Sequence, residues 1–151
     1  MKILHIITGL NDGGAENTLF KICKYDKFNK HIVISLTKSA KYSKLLKKIN
    51  IKVYCLNFKF YSIFKFFYLV RLIKKKIKPD IIQTWLVHGD FIGSLAAIFA
   101  GVKKLAWNIR YSNLELGKVK FTTILITNIL AKISFFIPRL IILNSKTLYL
   151  N

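Results

Sequence analysis

Short apolar runs alternate with stretches of helical periodicity along the whole chain. The runs predict strands over 2–8, 31–36, 51–55, 80–84, 103–108 and 139–143. Between them, apolar residues at three- and four-residue spacing predict helices over 15–25, 41–49, 61–77, about 89–101 and about 118–136. Strands that alternate with helices imply a parallel sheet covered on both faces, with right-handed crossovers. The pattern therefore predicts an α/β fold: a Rossmann-like, doubly wound parallel sheet in a single domain over 1–151.

The apolar stretch 121–143 is long enough to be compared with a membrane span. Lys132 interrupts its middle, and Pro138 with Arg139 interrupts its end. A charge near the centre of a bilayer costs about 2.5–3.5 kcal/mol on insertion scales, and proline breaks helical continuity. We therefore expect a mostly buried helix followed by a buried strand, rather than a transmembrane helix.

Polar and small residues follow several of the predicted strands. In a doubly wound sheet, ligands bind beyond the carboxyl ends of the strands. The residues collected by this rule are Gly13 and Gly14 after the first strand, Trp85 and His88 after the fourth, 107–111 with Arg110 after the fifth, and Asn144 and Ser145 after the sixth. We expect the glycine pair, His88 and Arg110 to converge along one edge of the sheet.

A glycine-bearing loop joins the first strand to the first helix over 8–16. Glycine lets the backbone approach a ligand closely, and the first N–H groups of a helix are unpaired, so this arrangement suits an anion. The loop is neither G-x-G-x-x-G nor a P-loop, and no acid ends the second strand to hold a ribose hydroxyl. A structural alternative is that Glu16 forms a capping box with Gly13 as the N-cap.

Three polar residues near the fourth and fifth strands are candidates for chemistry. A neutral His88 could hydrogen-bond a sugar hydroxyl or a backbone carbonyl, and Asp90 could cap the following helix or orient His88. Arg110 suits an anion, or it pairs with Asp90 or Glu115. No Ser–His–Asp arrangement stands out in the sequence, and no cluster of carboxylates or thiolates predicts a metal site.

The two cysteines, Cys23 and Cys55, have neither metal nor redox spacing. Both are expected to be small buried hydrophobic residues in a reducing compartment. The amino terminus lacks the pattern of a cleavable signal peptide. We therefore expect a cytoplasmic protein.

The charge is strongly positive, with a formal net charge of +20 from 26 basic and 6 acidic residues, and only three of the basic residues are arginine. Nucleic-acid readers use arginine more often, so no nucleic-acid partner is expected. A lysine-rich surface suits anionic lipid headgroups, at about 1 kcal/mol per residue near the membrane. Base composition biased toward AT-rich codons explains the same lysine content without any partner.

The predicted helix over 61–77 carries a basic stripe. Arg71, Lys74, Lys75 and Lys78 recur at helical spacing opposite an apolar face of Ile63, Phe66, Phe67, Val70 and Ile77. This stripe is either an ordinary solvated face or an amphipathic surface that contacts a membrane.

Together these segments resemble the N-terminal domain of the family-4 glycosyltransferases, which have the GT-B architecture. The resemblance rests on the Gly-Gly-Ala-Glu loop, on 79–90 leading into the glycine- and alanine-bearing helix, and on 107–112 with 143–145. It covers essentially the whole chain, and the combination is more specific than any of its parts.

The resemblance implies roles for the residues at the strand ends. Gly13 and Gly14 would approach the donor diphosphate, and His88 would act as the catalytic residue that contacts the transferred sugar or the acceptor. Trp85, Asp90, Arg110 and Asn144 would bind the acceptor or substrate. The family transfers sugars from nucleotide sugars with retention of configuration, often without a metal, so no cofactor or metal is expected beyond the donor substrate.

The family's C-terminal donor-binding domain has no counterpart within 1–151. We therefore expect the acceptor-binding half of a retaining glycosyltransferase for cell-envelope glycans or lipid-linked acceptors, truncated or split and inactive alone. A separate donor-domain chain is a possible partner, and the inner face of the plasma membrane a possible location. The rival is a noncatalytic, basic, membrane-peripheral binding module with a Rossmann-like core.

Overall fold

The computed structural model describes residues 1–58, 62–109 and 121–143. In these ranges the strands are β1 Lys2–Ile7, β2 Lys30–Ser35, β3 Lys52–Cys55, β4 Ile81–Trp85, β5 Leu105–Ile109 and β6 Leu140–Leu143. The helices are α1 Gly14–Tyr25, α2 Lys41–Lys48, α3 Ile63–Arg71, α4 Val87–Ala100 and α5 Phe121–Ile133, and α3 continues into a π-helical segment, Leu72–Ile77. The predicted alternation of strands and helices is confirmed.

The six strands form one parallel sheet in the order β3-β2-β1-β4-β5-β6. The two central strands, β1 and β4, are mostly buried although they contain polar residues, as expected when helices cover both faces. The order changes direction between β1 and β4, which is where a doubly wound sheet opens a crevice. The predicted fold class is confirmed.

Two apolar cores lie on opposite faces of the sheet. One contains the buried residues of α1 and α2, and the other contains those of α3, the π-helical segment, α4 and α5. Burial of this apolar surface is the main stabilising term of such a fold, at roughly 25 cal/mol per Å².

Helix α4 packs closely on the sheet because small residues face it. A Cβ atom at Gly93 would lie 2.6 Å from Cγ2 of Thr84, and one at Gly89 would lie 3.1 Å from the backbone N of Thr8. Ala96 and Ala97 are buried farther along the same helix. Larger side chains at these positions would push α4 away from β1 and β4.

Several predicted boundaries and burials differ from the structure. Trp85 is the last residue of β4 rather than part of a loop, and α4 begins at Val87 rather than at Gly89 or Asp90. Cys23 is buried as predicted, but Cys55 at the end of β3 is only half-buried. The predicted single helix over 61–77 changes from α- to π-helical winding at Leu72.

Helix α5 is less buried than its apolar sequence predicts. Ile126 and Leu130 face the core, whereas Leu125 is 52% exposed and Ile129 is 38% exposed. Strand β6 is also partly exposed at Leu140 and Ile141, because it lies at the edge of the sheet. In the described parts of the chain, every helix is too short or too polar to span a membrane.

Candidate functional site

The glycine loop and the turn that carries His88 follow two neighbouring strands. β1 and β4 are parallel and paired so that Ile7 lies opposite Trp85, which brings their carboxyl ends to one edge of the sheet. The backbone N–H of Gly89 donates a hydrogen bond of 2.9 Å to Oγ1 of Thr8. The two connections are therefore joined directly at the edge where a ligand is expected.

The glycine pair forms the open start of helix α1. Gly13 is the N-cap in extended conformation, and it makes no side-chain capping bond. A Cβ atom at Gly14 would meet no atom within 4 Å. The side of Gly14 where a Cβ atom would stand is therefore open, and it lies in the first helical turn, whose amide groups have no partner within the helix.

The carboxylate of Glu16 lies beside this glycine pair. Glu16 is buried, and its Oε2 lies 2.5 Å from the position that a Cβ atom of Gly13 would occupy. Among the described hydrogen bonds none joins this carboxylate to the Gly13 backbone, so the capping-box alternative is not formed. A phosphate that approached Gly13 would meet this negative charge, whereas the approach to Gly14 is open.

His88 is the second residue of α4 and is half-buried. The turn before it is strained, because Leu86 has φ 66° and ψ 154°, a region that is populated almost only by glycine. A strand that turns sharply into a helix through such a residue fixes the direction of the first helical turn. The strain at Leu86 and the bond from Gly89 to Thr8 together hold His88 at the edge of the sheet.

Trp85 and Asp90 lie behind this edge, inside the protein. Trp85 has no exposed surface, and Asp90 is 1% exposed. Oγ1 of Thr84 donates a 2.6 Å hydrogen bond to Oδ1 of Asp90, and burial raises the pKa of this carboxyl to about 8. Within this chain Asp90 therefore links the start of α4 to β4, and the predicted contact of Trp85 and Asp90 with an acceptor stays a prediction.

The remaining predicted site residues, Arg110 and Asn144, lie outside the described residues. Convergence of Arg110 with the glycine pair and His88 therefore stays a prediction.

A buried polar cluster that the sequence analysis did not predict lies below Trp85. Nε1 of Trp85 donates to Nδ1 of His5 at 3.3 Å, and Nε2 of His5 lies 2.9 Å from Nδ1 of His31. Nε2 of His31 lies 3.2 Å from a carboxylate oxygen of Asp26. Burial lowers the pKa of His5 to about 3 and also lowers the pKa of His31. Both imidazoles are therefore neutral at pH 7.

This cluster also contains the one set of potential metal ligands among the described residues. His5, Cys23 and His31 offer ligand atoms within 4.8 Å of one another. Both nitrogens of each imidazole already face the partners named above, and burial raises the pKa of the Cys23 thiol to about 12. The arrangement is an internal polar network, in which Nε2 of His31 lies close to Asp26 but makes no hydrogen bond of standard geometry among the described residues.

Asn108 is a second polar residue that was not singled out from the sequence. It is buried at the carboxyl end of β5, opposite Trp85 of β4, and its Nδ2 has no hydrogen-bond partner among the described residues. An unpaired buried donor is costly and calls for an explanation. Its only sequence signal was a polar residue within an otherwise apolar strand.

No protein-family model matches the chain, and none of the curated proteins matches it in sequence. Among solved structures it is similar to Anabaena Alr3699/HepE in complex with UDP, with a TM-score of 0.75 and 20% identity over 97% of this chain and 38% of that chain. The same protein in complex with UDP-glucose gives a TM-score of 0.76 and 18% identity over the same shares.

A further similar structure is UDP-N-acetylglucosamine 2-epimerase from Rickettsia bellii, with a TM-score of 0.57 and 15% identity over 97% of this chain and 39% of that chain. The chain thus spans about two fifths of the length of these proteins. At these identities the likeness concerns the fold, and the chain has a GT-B-like, Rossmann-like half-domain fold.

Proposed function

We propose that the chain is the acceptor-binding half of a retaining glycosyltransferase of the family-4 type. In this proposal it works with a nucleotide sugar as donor and a cell-envelope glycan or lipid-linked molecule as acceptor. One observation carries the proposal. The glycine turn after β1 and the His88 turn after β4 lie at the same edge of the sheet, where a hydrogen bond joins the two connections.

The residues at this edge suit the two ends of a sugar-transfer reaction. The open approach to Gly14 leaves room for a phosphate oxygen beside the first amides of α1. A half-exposed imidazole at His88 can donate or accept a hydrogen bond to a sugar hydroxyl. We assign to Arg110 and Asn144 the acceptor-side contacts that the family resemblance implies.

We further propose that a second, donor-binding domain faces this edge and completes the cleft. The similar Anabaena protein, in complex with UDP and with UDP-glucose, is more than twice as long as this chain. The reaction would take place on the cytoplasmic side of the plasma membrane, where nucleotide sugars are available.

The test combines this chain with a donor-binding domain, taken from the DNA downstream of codon 151 or from the remainder of the Anabaena protein. Transfer of labelled sugar from a panel of nucleotide sugars to extracted envelope lipids and glycans is measured by mass spectrometry. We expect transfer with the native chain and a loss of about 100-fold or more with His88→Ala. Phe28→Ala, at an exposed position between α1 and β2, is the control and should leave transfer unchanged.

Failure of every nucleotide sugar to give a product with a folded, assembled pair would refute the proposal. Equal transfer by native chain and His88→Ala would remove His88 from its role. A noncatalytic basic module remains the second candidate, favoured by the exposed aromatic residues of α3, and it predicts vesicle binding without any response to nucleotide sugars.

A further inference from the structure

The first two turns of α3 leave large aromatic side chains uncovered. Phe64 is 86% exposed, Phe67 is 56% exposed and Tyr68 is 51% exposed. Leu69 is the one buried residue of this helix. Single exposed apolar residues are normal in proteins, but a contiguous group of this size usually marks an interaction surface.

The uncovered surface continues onto the neighbouring helix α4. Phe66 contacts Phe99 edge-on, with ring centroids 5.7 Å apart, and Phe99 is itself 60% exposed. A groove of about 400 Å³ runs between the two helices and is lined almost entirely by apolar side chains, with Phe58 and Ser62 at one end. We call the exposed apolar residues of α3 together with Phe99 the aromatic surface.

Basic residues follow the aromatic surface along the same helical segment. The segment 62–79 contains six basic residues and no acidic residue. The π-helical winding turns Leu72, Ile73 and Ile77 inward and leaves three successive lysines exposed, Lys74, Lys75 and Lys76. The basic stripe predicted from the sequence is thus exposed. Of the apolar face predicted opposite it, Ile77 is buried and Phe66 and Val70 pack against the core, whereas Ile63 and Phe67 are exposed.

We propose that the aromatic surface, with Lys74, Lys75 and Lys76, docks on an anionic lipid bilayer. Aromatic side chains insert at the boundary between headgroups and acyl chains, and lysines attract anionic headgroups. A second copy of the chain is a poorer occupant, because two molecules of net charge +20 repel each other. The inference does not rest on sugar transfer, and a noncatalytic module would use the same surface.

Co-sedimentation with lipid vesicles tests the docking surface. We expect the chain to bind vesicles that contain phosphatidylglycerol far more tightly than vesicles of phosphatidylcholine alone, and to bind less at high salt. Phe64→Ser with Phe67→Ser should weaken binding by at least about tenfold, because two large apolar side chains are lost from the surface that enters the bilayer. The matched control, Tyr25→Ser with Phe28→Ser, changes two exposed aromatic residues elsewhere and should bind like the native chain.

A second pair of variants separates the position of the lysines from their total charge. Replacing Lys74, Lys75 and Lys76 by glutamate should weaken binding by about 100-fold. Replacing Lys44, Lys47 and Lys48 of α2 by glutamate changes the net charge equally and should weaken binding less than tenfold. Equal losses in these two triple variants, or unchanged binding in Phe64→Ser with Phe67→Ser, would overturn the proposal.

Fluorescence provides a readout of insertion that does not depend on affinity. The two native tryptophans, Trp85 and Trp107, are buried, so a tryptophan introduced at the surface reports on its own surroundings. Phe64→Trp should shift to shorter wavelength and be quenched by brominated lipid when vesicles are added. Phe28→Trp should do neither, and an identical response of the two variants would contradict the proposed surface.

Discussion

Two glycines near the candidate site have opposite surroundings. Gly14 faces open space, whereas a Cβ atom at Gly93 would lie 2.6 Å from Thr84. We expect Gly14→Ala to leave the free energy of unfolding unchanged within about 0.5 kcal/mol or to raise it slightly, because Ala is the better helix former. We expect Gly93→Ala to lower it by about 1–3 kcal/mol through overpacking. Urea denaturation measures both.

The Gly14→Ala variant also tests whether the glycine turn binds a ligand or is only a structural turn. In the two-part transfer assay, Gly14→Ala should lose activity although it folds normally, because the added methyl group occupies the space assigned to a phosphate oxygen. A Gly14→Ala variant with full transfer activity would show that no ligand approaches at this position.

The buried carboxyl of Asp90 makes stability depend on pH. Its pKa is raised to about 8 from 3.8, so the folded protein holds a proton that the unfolded chain releases between these values. Its contribution to stability is therefore full below pH 3.8 and is lost as the pH rises to about 8. Asp90→Asn keeps the acceptor for Thr84 and does not titrate. The variant should gain stability relative to the native chain from pH 4 to 8, by up to roughly 5 kcal/mol.

Denaturation of the native chain and of Asp90→Asn at several pH values measures this difference. A constant difference between the two proteins over the range would show that Asp90 titrates normally in the folded state.

The buried pair His5 and His31 makes stability depend on pH in the direction opposite to that of Asp90. The pKa of His5 is lowered to about 3 from 6.5, and the pKa of His31 is lowered as well. The stability that depends on their neutral forms is complete above pH 6.5 and is lost as the pH falls toward 3. We expect the urea midpoint of Asp90→Asn, in which the titration of Asp90 is removed, to fall steadily below pH 6.5. A flat profile from pH 6.5 to 4 would contradict neutral burial of this pair.

At the residue scale, the sequence indicated where a residue lies along the strands and helices better than it indicated whether its side chain is buried. It placed Trp85, His88 and Asp90 near the junction of the fourth strand and the following helix, although Trp85 ends β4 and Asp90 lies in the first turn of α4. It did not distinguish the half-exposed His88 from its buried neighbours, because burial depends on which residues the rest of the sheet and α1 bring alongside. The contact between His5 and His31 was missed for the same reason, since it arises only when β1 pairs with β2.

At the scale of elements, the end of the π-helical segment is conformationally unfavourable. Lys78 has φ 49° and ψ 65°, the left-handed conformation that glycine adopts most easily. We expect Lys78→Gly to raise the free energy of unfolding by about 0.5–1 kcal/mol. The matched substitution Lys76→Gly lies within the segment and should lower it by about 1 kcal/mol. Thermal unfolding measures both, and a loss of stability in Lys78→Gly would disprove the explanation.

The elements themselves were largely predictable, because each apolar run and each helical period is local in sequence. The boundary of α4 was not, since Leu86 adopts a glycine-like conformation that no residue in 85–90 signals. The change to π-helical winding at Leu72 was also missed. Its burial pattern, with Leu72 and Ile77 five residues apart, depends on packing against α4 and the sheet.

At the scale of the whole molecule, the net charge of +20 is expected to oppose folding. Repulsion between like charges destabilises the compact state, and salt screens it over a Debye length of about 10 Å at 0.1 M. We expect the melting temperature to rise by several degrees when sodium chloride is added at pH 7 to a low-salt buffer. An equally concentrated uncharged solute, glycerol, serves as control, and an equal rise with both additives would argue against relief of repulsion.

The topology followed from the sequence because strands that alternate with helices leave few arrangements of the chain. The degree to which whole helices are exposed could not be predicted from the sequence. The apolar residues of 121–133 predicted a mostly buried helix, and the structure leaves Leu125 and Ile129 exposed.

The strand order has a consequence for synthesis of the chain. β1 is the first strand to leave the ribosome, but its partner β4 comes much later: the Lys2 N–H donates to the side chain of Asp80, 78 residues further on. Before then β1 can pair only with β2, and its free edge is a template for wrong association. Such distant parallel pairing also forms slowly. The nascent polypeptide must therefore keep one side of β1 unpaired until Ile81–Trp85 has been translated.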